Sequence, residues 1–349
     1  MGSSCGGGPQ RAAQSPSATN RTAGRTGTNP TQSPAKANRT QSPTDASRTG
    51  TDWSVVAAEV TLPANELFGP VAGFDALWVR EVGTGTVLRV DPTKNEVVAT
   101  IYVGSGCCLA VGEGAVWATV PTERRLLRID PVSNRVTATI PVGDQADFSA
   151  VAFGSVWVSN KRGGTVTRIN PMTNKPVAEI SITSILRGGP NFLGRAGDSL
   201  WVGVPARGEI VRIDPATNKV TGALKIPGAG CHHLASNGST LWLARGCDDM
   251  TKGDKIWKID TRRMKVTVII KPGGYVGAPA FWKGQLWVLT SRHLVSINPK
   301  TNRVVVRAVI PGSGGDWAAV ADGSLWVANP GKLLRLRLQP SPARPEPTR

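Results

Sequence analysis

The densest group of proton-transferring and metal-ligating side chains in this sequence is Cys231-His232-His233, followed by Cys247-Asp248-Asp249. A histidine here is the natural candidate for a general base, since its ordinary pKa lies near neutrality. His232 or His233 would fill that role, with Glu81 as the carboxylate partner if it reaches across to them. The third histidine, His293, follows a Trp on a strand and is expected on the outer surface. Adjacent residues of a strand point to opposite faces, so His232 and His233 are poorly placed to share one ion, and no resident metal is expected. With a hairpin turn centred near Ser239, Cys231 and Cys247 stand opposite each other, and a disulfide between them is the expectation. Such a bond fits an extracytoplasmic compartment. Cys107-Cys108 is open to three readings: a vicinal disulfide, free thiols or small core residues. No Ser-His-Asp order, phosphate-cradling glycine loop or zinc-finger spacing is present, so the catalytic inventory is thin.

A second set of candidates gains meaning only from the way the chain repeats itself. A Trp after Leu or Val recurs at Trp78, Trp117, Trp157, Trp201, Trp242, Trp287 and Trp326, with spacings of 39 to 45 residues. Each is followed by a second marker, as in Arg89-Val90-Asp91-Pro92, Arg128-Ile129-Asp130-Pro131 and Arg168-Ile169-Asn170-Pro171; in the last unit it decays to Leu334-Arg335-Leu336. Asp or Asn caps the bend, Pro presets φ, and a later Asn (Asn95, Asn134, Asn174, Asn218, Asn302) accepts the left-handed conformation. Alternating apolar residues flank the bend, so each unit reads as four short antiparallel strands. One such sheet cannot cover both of its faces, and radial stacking into a ring is the economical solution.

The fold expected is therefore all-β, a seven-bladed β-propeller over residues 53–339. Blade seven has room for three strands only, and residues 54–63 supply the missing one, closing the ring with an N-terminal strand. One Trp per unit at a fixed strand position is a packing signal between blades. Residues 1–52 are rich in Ser, Thr, Pro, Gly and Asn, with repeats such as Thr31-Gln32-Ser33-Pro34 and Thr40-Gln41-Ser42-Pro43, and read as a disordered tail or stalk; residues 340–349 read likewise.

Propellers bind at the channel mouth, where the inner strands begin, nine or ten residues before each Trp. Those positions hold Phe68-Gly69, Cys107-Cys108, Asp147-Phe148, Asn191-Phe192, His232-His233, Gly277-Ala278 and Asp316-Trp317. Positions that only pack should look alike from unit to unit, and these differ. Asp147, Phe148, Asn191, His232, His233, Arg245, Asp316 and Trp317 are the expected ligand-binding set, for a small or polymeric ligand.

The formal net charge is +17, mostly on the repeats. Arg and Lys recur once per unit without interleaved aromatics, which argues against a nucleic-acid reader. The charge is expected to form a solvated face suited to anionic cell-envelope material. No run of about 18 apolar residues exists, so no membrane-spanning helix is expected. Around Cys5, Met1-Gly2-Ser3-Ser4-Cys5-Gly6 is similar to the lipidated cysteine region of lipoproteins without its apolar leader, so a lipid anchor at Cys5 and a plain tail both stand as readings. A monomer is expected.

Units such as Gly154-Ser155-Val156-Trp157-Val158-Ser159-Asn160 followed by Arg168-Ile169-Asn170-Pro171-Met172-Thr173-Asn174-Lys175 resemble the YVTN-repeat (YncE-like) propellers over residues 54–339. That resemblance implies surface, periplasmic or sensor roles without catalysis. A more distant similarity is to virginiamycin B lyase-type seven-bladed propellers, which implies a histidine base, a Glu and Mg2+ over the channel. The chain departs from that pattern: three residues after each Trp, only the first unit keeps a Glu, Glu81. The leading expectation is a non-enzymatic, extracytoplasmic binding or protein-interaction propeller, and the rival is a metal-dependent lyase acting on a cyclic peptide.

Overall fold

The computed structural model describes residues 53–63, 66–182, 189–226, 232–245, 254–291, 293–310 and 317–340. The expected tail at 1–52 lies outside them. The described chain forms seven four-stranded antiparallel sheets, one for each Trp of the repeating series. Blade 1 takes strands Leu67–Gly73, Ala76–Glu81, Thr86–Asp91 and Glu96–Tyr102, and blades 2 to 6 repeat that order along the chain. Blade 7 combines Ala318–Ala321, Ser324–Asn329 and Lys332–Pro340 with Trp53–Thr61, whose Glu59 pairs with Leu334 and Thr61 with Lys332. The ring is thus closed by the strand expected to close it. The last strand runs to Pro340, one residue beyond the expected boundary, because Pro340 still faces Trp53 across the ladder.

The second strand of each blade carries the Trp. In blades 1 to 4 and 7 all six of its residues are buried, because it lies between two neighbouring blades. The outermost strands alternate instead, as in Glu96–Tyr102, with one face in water. Each Trp joins an apolar cluster shared with the following blade: Trp78 packs with Val116, Leu127 and Ile129 of blade 2, and Trp326 with Leu77, Val79 and Leu88 of blade 1. Six of the seven indole nitrogens donate to the carbonyl five residues upstream at 3.0–3.2 Å, which locks the ring against its own hairpin.

The turn marker has a second role. Asp91 Oδ1 accepts the amides of Thr93 and Lys94, and Asn95 sits at φ 59°, as the turn chemistry requires. The Arg before the turn does not reach into solvent. Arg89 lies over its own Trp78, 5.4 Å from the ring centroid, and donates to the Pro131 carbonyl and the Asn134 side chain of the next blade. Arg128 does the same to Pro171 and Asn174, Arg168 to Pro215 and Asn218, and Lys258 to Pro299 and Asn302. Arg335 closes the circle onto Pro92 and Asn95 of blade 1. These contacts draw five of the repeating cations out of the expected solvated basic face, each tying its blade to the next at the junctions of blades 1 and 2, 2 and 3, 3 and 4, 5 and 6, and 7 and 1. The tie is broken where the sequence breaks it. Blade 5 has Met264 where blades 1 to 4 and 6 have Asn, and Arg212 turns to Thr221 of its own blade; blade 6 has Ser296 where the cation would stand.

Candidate functional site

The inner strands converge on a partly open cavity of about 150 Å3 at the channel mouth. Phe68, Cys108, Phe148 and Phe192 line it from blades 1 to 4, and His233, Ala278 and Trp317 from blades 5 to 7. The residue nine before the Trp lines the cavity in all seven blades, joined by its preceding neighbour in blades 1 and 2, Phe68 and Cys107. Phe148 and Phe192 pack at a tilt of 39° with centroids 3.8 Å apart, and Phe192 lies 4.3 Å from His233. Trp317 meets the His233 ring edge-on at 4.6 Å and lies 5.9 Å from both Phe68 and Phe192. The mouth is thus an aromatic collar, to which Phe148, His233 and Trp317 of the expected set belong.

His233 is the polar group in that collar. It is 3% exposed, burial holds its pKa down to about 3, and neither ring nitrogen has a hydrogen-bond partner among the described residues. A neutral imidazole with one donor and one acceptor unmade costs free energy unless a ligand or water completes it.

Asp147 and Asn191, ten residues before their Trp, are buried at 3% and 5% exposure and do not line the cavity. Asp147 points behind the wall. Its Oδ1 lies 3.2 Å from Cys107 Sγ, and its Oδ2 3.9 Å from Lys161 Nζ. Burial pushes its pKa up to about 6, against the opposing pull of the Lys161 ammonium. Thr119 Oγ1 donates to its carbonyl at 2.8 Å. Cys107 and Cys108, both buried, form a vicinal disulfide in the cavity wall, one of the three readings left open by the sequence. The loop carrying them is pinned at Gly106: a Cβ there would lie 2.3 Å from the Thr119 carbonyl, and Arg80 Nε donates to the Gly106 carbonyl at 3.1 Å.

Glu81 is buried but outside the cavity lining, and its Oε2 accepts from Thr86 at 2.9 Å. Glu81 and His233 are not brought together. His232 pairs through its backbone with Arg245 at the end of the blade 5 hairpin, while both side chains lie outside the described residues, as do Asp316, Cys231 and Cys247. His293 opens the third strand of blade 6, its amide bonded to Thr290. Sequence reasoning left Phe68, Cys107, Cys108, Phe192 and Ala278 out of the binding set. Their signal was present, since aromatics occupy the channel-facing position in blades 3, 4 and 7.

No protein-family model and no curated protein sequence matches the chain. Among solved structures it is similar to a streptogramin B lyase, at 17% identity with a TM-score of 0.70, over 84% of this chain and 100% of that one. It is also similar to the hydrazine synthase of Kuenenia stuttgartiensis, at 13% identity with a TM-score of 0.64, over 80% of this chain and 97% of that one. At such identities the likeness is one of architecture, and the chain is a seven-bladed β-propeller related in fold to the streptogramin B lyase.

Proposed function

We propose that this protein is a non-enzymatic, extracytoplasmic binding propeller whose ligand seats a neutral ring in the channel mouth and bonds to His233. The observation that carries the reading is a buried imidazole with both nitrogens unmet among the described residues, set in a wall of Phe68, Phe148, Phe192 and Trp317. Apolar cavities of about 150 Å3 accept a molecule the size of benzene. The site therefore suits one six-membered ring bearing a hydroxyl or N–H, alone or as the terminal group of something larger. Edge and face contacts with such a ring contribute about 0.5–1.5 kcal/mol each beyond area burial. The vicinal disulfide supports an oxidising compartment. The net charge of +17 supports a place beside anionic envelope material.

Phenol and indole serve as ring-plus-donor probes and toluene as the ring alone, followed by ligand-observed NMR. Phenol and indole should bind at least threefold tighter than toluene, and His233→Leu should erase that difference. Ala278→Trp, which fills the cavity from blade 6, should abolish binding of all three. Binding that survives Ala278→Trp unchanged places the probes elsewhere and overturns the assignment. The lyase alternative needs Glu81 and a rim histidine on one Mg2+; chelator-sensitive turnover of a cyclic depsipeptide would restore it.

A further inference from the structure

Behind the collar, Cys107, Cys108 and Asp147 place three potential ligand atoms within 4.8 Å of one another. Cys107 and Cys108 lie in the loop before the inner strand Leu109–Gly112, free of the strand alternation that would send neighbouring side chains apart, and their sulfurs meet in one bond. Asp147 Oδ1 approaches Cys107 Sγ at 3.2 Å from blade 3, so the two need part by only about 0.3–0.5 Å to take the separation set by a tetrahedral ion with bonds of about 2.3 and 2.0–2.2 Å. We propose that two-electron reduction of the Cys107–Cys108 bond opens a metal site, with both sulfurs and the Asp147 carboxylate as ligands, for a borderline or soft divalent ion such as Zn2+ or Cd2+.

The step balances with an external thiol as reductant. Two such thiols give up two electrons and two protons, the protein disulfide becomes two thiols, and the reductant leaves as its own disulfide. Binding of the ion then releases the two thiol protons. Charge favours the site: two thiolates and one carboxylate are balanced by the divalent ion together with the Lys161 ammonium, 3.9 Å from Asp147. A neutral cluster is what a buried position tolerates. Both cysteines line the cavity whereas Asp147 does not, so the fourth coordination position faces the channel mouth, open to water or to a ligand. Carboxylate and thiolate together suit Zn2+ and Cd2+ better than Mg2+, which takes oxygen ligands. The inference does not rest on ring binding, since Cys107, Cys108 and Asp147 are not among the groups proposed to hold the ring, Phe68, Phe148, Phe192, His233 and Trp317.

The test uses the full chain, reduced with a phosphine or dithiol, desalted without oxygen and titrated with Cd2+. Reduced protein should gain one equivalent with a thiolate-to-cadmium charge-transfer band, and that equivalent should be missing from oxidised protein of the same sequence. Cys107→Ser and Cys108→Ser should each lose it, while Asp147→Asn should keep the band and weaken binding at least tenfold. X-ray absorption of the Zn2+-loaded reduced wild type should show two sulfurs at about 2.3 Å and lighter ligands at about 2.0–2.2 Å, a readout that needs no variant. Equal Cd2+ uptake by the Cys107→Ser/Cys108→Ser double variant, or a shell of four sulfurs, overturns the proposal. Unchanged affinity in Asp147→Asn removes Asp147 from the ligand set.

Discussion

Replacing Arg335 by Ala tests whether the repeating cation holds the ring together. Arg335 is 5% exposed and bonds to Ser324 Oγ at 3.0 Å, the Pro92 carbonyl at 2.8 Å and Asn95 Oδ1 at 3.2 Å, besides pairing with Asp322. Its guanidinium also lies 5.5 Å from the Trp326 ring centroid. Hydrogen bonds to a charged group contribute about 1.5–3 kcal/mol each when net favourable, and the cation–π contact about 0.5–1 kcal/mol. These are not additive, and truncating one partner of a buried charged network costs about 3–5 kcal/mol. At about 2–4 °C per kcal/mol for a domain of 150–250 residues, and toward the low end for a larger ring, Arg335→Ala should lower the Tm by roughly 6–10 °C. Differential scanning calorimetry reads it directly. Arg335→Lys should recover much of the loss, because Lys258 makes the same two contacts in blade 5 at 2.7 and 2.9 Å. Arg212→Ala is the internal control, since among the described residues Arg212 bonds to Thr221 of its own blade and not to the next blade, and its cost should stay within about 0.5–1 kcal/mol. Equal losses from Arg335→Ala and Arg212→Ala would refute the tie between blades.

Acid stability should depend on His233. The native imidazole stays neutral down to about pH 3 while the unfolded chain takes a proton near pH 6.5, so stability falls as pH drops through that window, with a slope of up to about 1.4 kcal/mol per pH unit. Asp147 opposes this: its native pKa of about 6 exceeds the unfolded value, so its ionisation costs stability as pH rises from about 4 to 6. In urea titrations the difference between wild type and His233→Leu should isolate the histidine slope; a pH-independent difference rejects it. Gly106→Ala should cost about 1–3 kcal/mol, since its Cβ meets the Thr119 carbonyl at 2.3 Å, and should speed thiol-reagent access to Cys107 and Cys108. Val60→Asp places a charge in the cluster of Leu77, Trp326 and Leu333 and should lower stability by about 3 kcal/mol or more, measured by thermal melting.

The ring was legible in the sequence because its determinants are local. A Trp strand, an Asp-Pro bend and an Asn at positive φ are each written within a few residues, and seven copies reinforce one another. The tie from Arg89 to Asn134 was not legible, although both residues belong to the recognised motif, because nothing within one unit states that its cation reaches the next. At the channel mouth the residue nine before each Trp lines the cavity, as the alignment of the units on Trp leads one to expect. Asp147 and Phe148 were both placed at the rim, but which of two neighbours faces the cavity depends on the bulge between Ala146 and Ser149, a backbone detail without a residue signature. The same ambiguity hid the approach of Asp147 in blade 3 to Cys107 in blade 2.

Closure by Trp53–Thr61 onto Lys332–Pro340 has a consequence for biosynthesis. The first strand to leave the ribosome is the last to find its partner, after roughly 270 further residues, or on the order of 15–55 s at 5–20 residues per second. Through that interval Val60 and Leu62, buried once the circle is complete, stay uncovered beside an unpaired strand edge. The nascent chain is then most exposed to mispairing with a second copy of itself, and a holdase that masks residues 53–62 would raise the yield of closed rings more than one acting on any later blade.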